Sequence, residues 1–205
     1  MTIFAPQALG AAALALVDLD DSSVGTLLFS RPFVVGPLVG GVLGDPFLGA
    51  GLGVAVEAIT LEKLPLGGNL GLSAPVAAWV AVFLAAGPAR LPAEVAFPAG
   101  LAAGFAHARV ELFLRRRRGG HIRRVEAAIA QGLSPGIGLE LSSSLALQAA
   151  ATFVVALTAL LALGPALAFL WPLVPQFVQG GARIALSSAP WLGAGGLAAS
   201  LWRRA

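Results

Sequence analysis

Arg31, Asp45, Glu57, Glu62 and Lys63 are set into an apolar, glycine-rich stretch that runs from Asp21 to Pro75, DSSVGTLLFSRPFVVGPLVGGVLGDPFLGAGLGVAVEAITLEKLPLGGNLGLSAP. A charged side chain at membrane depth costs about 3 kcal/mol or more unless it pairs or meets water, so each such residue is a candidate for function. Glu57 is the sharpest of them, because every neighbour from Pro46 to Leu61 is uncharged. A carboxylate offers about four lone-pair sites, which suits it to accept hydrogen bonds from the hydroxyls of a polar cargo such as a sugar. The competing role is an ion pair with Lys63, Arg31 or a neighbouring subunit.

The other polar residues divide between chemistry and architecture. Asn69 follows two glycines in PLGGNLG, where its amide is placed either to bind a polar ligand or to cap an irregular turn. Asp45 stands between Gly44 and Pro46, the arrangement of an N-cap followed by a proline at the first helical position. Arg31 precedes Pro32 in the same manner, with Asp18, Asp20 and Asp21 as its expected partners. Those three acids read as a helix end facing water. Asp21 and Lys63 are further candidates for an ion pair, and Lys63 is long enough to snorkel to an interface.

The elements that must hold these residues are helices in a membrane. Of the 205 residues, 58% are hydrophobic and only 11% charged. A soluble domain carries about a quarter charged residues. There is no Cys, so disulfides and thiolate chemistry are excluded, and two histidines, His107 and His121, make a poor metal set. No cofactor or metal is expected. A net charge of +3 is no nucleic-acid signature, since the arginines gather in one run. The N-terminus lacks the basic region of a signal peptide and reads as a membrane helix that stays.

Crossing ~30 Å of hydrocarbon takes roughly 20 helical residues. Candidate spans are Thr2–Val17, Leu64–Ala89, Leu91–Leu114 and Ile184–Trp202, with the uncharged Leu141–Ala182 broken near Gly164-Pro165. Pro32–Gly44 and Pro46–Leu61 are too short to cross alone. Short, proline- and glycine-interrupted apolar segments point to a transporter's binding region. They are expected to form a broken, re-entrant hairpin near midplane, its freed backbone groups facing a cavity; two short tilted helices joined by a turn are the plainer alternative. Gly36, Gly40 and Gly44 fall four apart, as do Gly49 and Gly53, a spacing that lets backbones approach closely.

Arg115 to Arg118, with Arg123 and Arg124, read as a cytoplasmic loop, and His121–Gly132 as a short amphipathic helix at the inner surface. Anchoring the topology is the plain role of this run; binding anionic lipid or a soluble partner is the other. The expected fold is an all-α, polytopic integral membrane protein with short broken or re-entrant helices in its first half. It forms one domain over 1–205: helices to residue 114 including the hairpin at 31–61, the basic loop and amphipathic helix at 115–133, and C-terminal helices at 138–205.

GAGLG at Gly49–Gly53 is not a dinucleotide fingerprint, since no strand–turn–helix unit surrounds it, and no Ser/His/acid set suggests catalysis. The sequence does resemble the IIC component of the mannose/fructose/sorbose family of the phosphoenolpyruvate-dependent sugar phosphotransferase system. DSSVGTLLFSRPFVVGPLVGGVLGD is similar to the family's acid, Gly-Thr, Arg-Pro and GPLVG…LGD pattern. GAGLGVAVEAITL resembles its G-x-x-x-G-x-x-x-E stretch, with Glu57 on the glutamate, and PLGGNLG resembles the glycine turn. HIRRVEAAIAQGLSPGIGLELSSSLALQAAATFVV is more loosely similar to the region after the cytoplasmic loop.

The resemblance implies a multi-pass permease subunit of the bacterial inner membrane. It would oligomerise, pair with a IID membrane subunit, bind a hexose-type sugar and present it to soluble IIA and IIB proteins, which carry the phosphorylated residues. No catalytic residue of its own is then expected. Two departures stand out. Gly71-Leu72-Ser73 replaces the family's Pro-Pro-Asp, and the chain ends soon after Ala189-Pro190 where many members continue. These departures favour an alternative, a degenerate permease relative that scaffolds or regulates a complex. A proton-coupled transporter using Glu57 as carrier is the third expectation.

Overall fold

The computed structural model describes residues 4–20, 29–60, 71–132 and 137–202, and all the regular structure among them is helical. The helices are α1 (Phe4–Leu19), α2 (Pro32–Val42), α3 (Pro46–Thr60), α4 (Ala74–Ala86), α5 (Ala93–Ala130), α6 (Ile137–Leu170) and α7 (Gln176–Trp202). A single 3-10 turn, Trp171–Leu173, separates α6 from α7.

Helix α4 is the centre of the core. Its sequence, APVAAWVAVFLAA, is apolar on every side, and each residue from Pro75 to Ala86 is buried. A helix with no polar face has to be enclosed. It packs against α1, α2, α3, α5 and α6. Small residues allow the tightest of these approaches: a Cβ at Gly100 or Gly104 of α5 would run into Ala77, Ala81 or Ser73. This differs from the expected Leu64–Ala89 span. The helix has 13 residues, about 20 Å at 1.5 Å per residue, too short to cross hydrocarbon on its own. The part of that span before residue 71 lies outside the described residues.

Helices α2 and α3 form an antiparallel hairpin. Proline begins both helices, and Gly44 makes the turn between them with φ +92, a left-handed conformation glycine adopts freely. Asp45 caps α3 through its Oδ1, which accepts from the Leu48 N–H at 3.0 Å. The expected freed backbone donors are not found at this turn. Leu43, Gly44 and Asp45 each donate an N–H back to a carbonyl of α2. The two helices touch backbone to backbone: a Cβ on Gly36 would fall onto the Gly49 carbonyl, and one on Gly53 onto Pro32.

Three further expectations are corrected. The arginine run is not in a loop, because α5 continues as one 38-residue helix to Ala130 and takes the expected amphipathic helix with it. Arginine is a good helix former, and the Glu111–Arg115 pair at i,i+4 supports the same turn-to-turn path, enough to carry the chain across Gly119 and Gly120. The break expected at Gly164-Pro165 lies instead at 171–175. Pro165 sits within α6, and the chain leaves helical geometry only where Val174, extended at ψ 132, precedes Pro175. One described stretch, Gly138–Leu173, is long and apolar enough to cross a membrane by length and composition; α1, α2, α3 and α4 are shorter apolar helices.

Candidate functional site

The hairpin brings Arg31 and Glu57 together. Arg31 precedes α2, and Glu57 lies one turn before the end of α3, so both sit at the open end of the hairpin, away from the Gly44 turn. Arg31 donates through NH1 to Glu57 Oε1 at 3.0 Å. Of the partners offered for Glu57 the structure therefore supplies Arg31, and Arg31 does not pair with Asp18. The two ends of the ion pair differ in environment. The guanidinium side chain is 53% exposed and the carboxylate side chain only 13%. Glu57 Oε2 is buried and has no hydrogen-bond partner among the described residues. One carboxylate oxygen is held by Arg31, and the other is an acceptor sealed from solvent without a donor. A buried acceptor left unmatched costs about 1–3 kcal/mol, more when charged, so this atom is set up for a hydroxyl or amide donor.

Glu57 is also fixed by what lies behind it. Its neighbours Ala55, Val56 and Ala58 are buried, and Gly193 of α7 packs onto the Ala58 backbone. This contact orients the last turn of α3 and, with it, the carboxylate. Asp45 belongs to the opposite, turn end of the hairpin and serves it as the cap described above. Asn69, Lys63 and Asp21 lie outside the described residues. Ser73, which stands where an acid was expected from the resemblance, is buried at the start of α4, and its N–H donates to the Gly104 carbonyl.

A second polar constellation escaped the sequence reading. Asp18 of α1, His107 of α5, and Gln148 and Thr152 of α6 meet inside the bundle, none more than 2% exposed. Thr152 Oγ1 donates to Asp18 Oδ2 at 2.7 Å, and Gln148 Nε2 donates to the same oxygen at 3.2 Å. His107 Nε2 lies 2.9 Å from Thr152 Oγ1 and 3.6 Å from Asp18 Oδ2. Asp18 therefore does not end a helix in water. One signal pointed this way: Gln148 and Thr152 fall four apart, on one face of α6. Among the described residues no group of three or more His, Cys, Asp and Glu could hold a metal ion.

Two salt bridges bracket α5. Arg183 of α7 donates to Glu94 at the start of α5 at 3.2 Å. Arg115 reaches Glu111, with Arg117 stacked over Phe113, at the other end of its packed part. Glu94 and Arg115 are separated by about 32 Å of helix, the thickness of a hydrocarbon layer.

No curated protein gives a match to the chain. A family model does: it is described as the phosphotransferase system sorbose-specific IIC component, and it covers residues 6–205, nearly the whole length. A match that runs along almost the whole chain settles the family: the chain belongs to the sorbose-specific IIC family, the membrane permease components of the sugar phosphotransferase system.

Proposed function

We propose that this chain is the sugar-translocating subunit of its phosphotransferase complex, that its cargo is of the hexose type, and that Glu57 binds a hydroxyl of that cargo. The observation that carries the reading is the state of Glu57, with Oε1 taken by Arg31 and the buried Oε2 lacking a donor. A sugar hydroxyl is a donor of the right kind. Asn69 is the second proposed contact, and Asp45 and Arg31 frame the hairpin. The chain would span the bacterial inner membrane several times, oligomerise with lipid around it, and work with a IID subunit. Soluble IIA and IIB proteins would bring the phosphoryl group. In this reading the group passes directly from the soluble partner to the sugar.

The test is sugar uptake by vesicles that contain the assembled complex, driven by phosphoenolpyruvate. Glu57→Gln keeps the shape and removes the charge and half the acceptor capacity. Uptake should fall at least tenfold while the protein still inserts and co-purifies with its partners. Wild-type uptake at matched expression would remove Glu57 from the cargo path. Uptake by the unmodified complex that follows a proton gradient and ignores phosphoenolpyruvate would overturn the phosphotransferase coupling.

A further inference from the structure

The cluster on α1, α5 and α6 is not needed to bind cargo at the hairpin, and hydrogen bookkeeping assigns it a ligand of its own. Thr152 has one hydroxyl hydrogen. Its two acceptors are Asp18 Oδ2 at 2.7 Å and the Gln148 carbonyl at 3.1 Å, and the shorter, charge-assisted bond takes it. Thr152 Oγ1 is then free to accept, and the group 2.9 Å away is His107 Nε2. That nitrogen must carry the hydrogen. In a neutral imidazole the other nitrogen is then a bare lone pair. His107 Nδ1 is buried and has no hydrogen-bond partner among the described residues.

We propose that His107 Nδ1, with Asp18 as countercharge and Thr152 and Gln148 as its supports, is a proton-binding site within the membrane domain. The proton comes from solvent and adds to the Nδ1 lone pair, turning neutral imidazole into imidazolium. No other bond is made or broken. An imidazolium away from water needs an anion beside it, and the Asp18 carboxylate is 3.6 Å from Nε2. At the end of α1 the other ionisable residue is Asp20, two positions beyond Asp18. Helix α4 has no ionisable residue. On α6 the nearest is Glu140, two turns before Gln148. On α5 itself Arg109 is exposed, and Glu111, one turn on, is already bound by Arg115. On α7 Arg183 is engaged with Glu94.

Protonation has a mechanical consequence. The new Nδ1–H would be a buried donor with no acceptor among the described residues, so the packing around the ring has to change to supply one, and this holds whether or not Glu57 binds sugar.

The experiment observes the ring directly. His121 is replaced by Gln, leaving His107 as the lone histidine of the chain, and the imidazole nitrogens are labelled with 15N in the full-length protein in lipid nanodiscs. The sample is titrated from about pH 8 to about pH 5, the range in which histidine changes charge. At the alkaline end the spectrum should show an Nε2–H, bare-Nδ1 ring. On acidification it should convert reversibly to the doubly protonated ring, with helicity unchanged. A ring that keeps one hydrogen across the whole range, or that starts with its hydrogen on Nδ1, overturns the proposal and leaves a static polar clasp.

Discussion

Glu57 and Arg31 meet at 3.0 Å, yet one is largely enclosed and the other half in solvent, and that asymmetry separates two roles for the pair. If the pair merely ties the ends of the hairpin together, either partner is equally dispensable or equally needed. If Glu57 is a cargo contact, Arg31 only positions it. An exposed guanidinium contributes little net energy, so Arg31→Gln should lower stability by about 1 kcal/mol or less. It should weaken apparent sugar affinity severalfold while leaving the maximal uptake rate near wild type, because the carboxylate remains. Glu57→Gln should instead lose transport. Uptake kinetics and thermal unfolding of both variants check this, and matching losses in the two would assign the pair to architecture. Which residue Glu57 meets could be narrowed from the sequence to three candidates. The Asp18 network could not, because Gln148 is 130 positions away from Asp18 and only the fold brings them together.

Among the elements, the α2–α3 hairpin depends on glycine in a way that can be tested residue by residue. Gly49 and Gly51 are two positions apart on the same helix. A Cβ at Gly49 would collide with the Gly36 backbone and come within 2.9 Å of the Gly40 Cα, whereas one at Gly51 would meet nothing within 4 Å. Gly49→Ala should therefore force the helices apart and destabilise the protein by about 1–3 kcal/mol, the range for overpacking a close contact. Gly51→Ala should be neutral or stabilising by up to about 1 kcal/mol, the helix-propensity difference. Thermal unfolding in one detergent compares them, and equal destabilisation by both would refute the close-contact account. The boundaries of this hairpin were legible because Pro32, Pro46 and Gly44 act locally, through their own backbone geometry. The path of α5 and the end of α6 were not. Gly119, Gly120 and Pro165 weaken a helix locally, but the outcome depends on the length and packing of the helix around them. At Trp171–Pro175 two prolines within four residues decide the matter, where one at Pro165 did not.

For the whole molecule, the contacts fix which helix ends lie together. The Arg183–Glu94 bond puts the starts of α7 and α5 at one end of the bundle, and chain connection puts the end of α6 there as well. The arginine-rich end of α5 and the last turns of α7 then point the other way. Asp18 beside Gln148 and Thr152 makes α1 antiparallel to α6, with its C-terminal end turned toward the arginine end. The His107 cluster lies about 12 Å short of Arg115 along α5, inside the layer that Glu94 and Arg115 bracket. Arginine-rich ends face the cytoplasm, so this arrangement yields a topology that can be checked by labelling. The chain contains no Cys, which leaves a clean background for single cysteines. Gly119 and Gly180 are open positions where an added Cβ meets nothing within 4 Å. In sealed vesicles of known orientation, Gly119→Cys should react with a membrane-impermeant maleimide only from the cytoplasmic face, and Gly180→Cys only from the opposite face. Val42→Cys, at the exposed apolar tip of the hairpin, should resist that reagent from both faces and react with a lipid-soluble one if, as proposed, α2 and α3 end within the layer. Reaction of Gly119→Cys and Gly180→Cys from the same face would mean that the chain does not cross the membrane between them, so that α6 is not a span, and the permease topology would have to be redrawn.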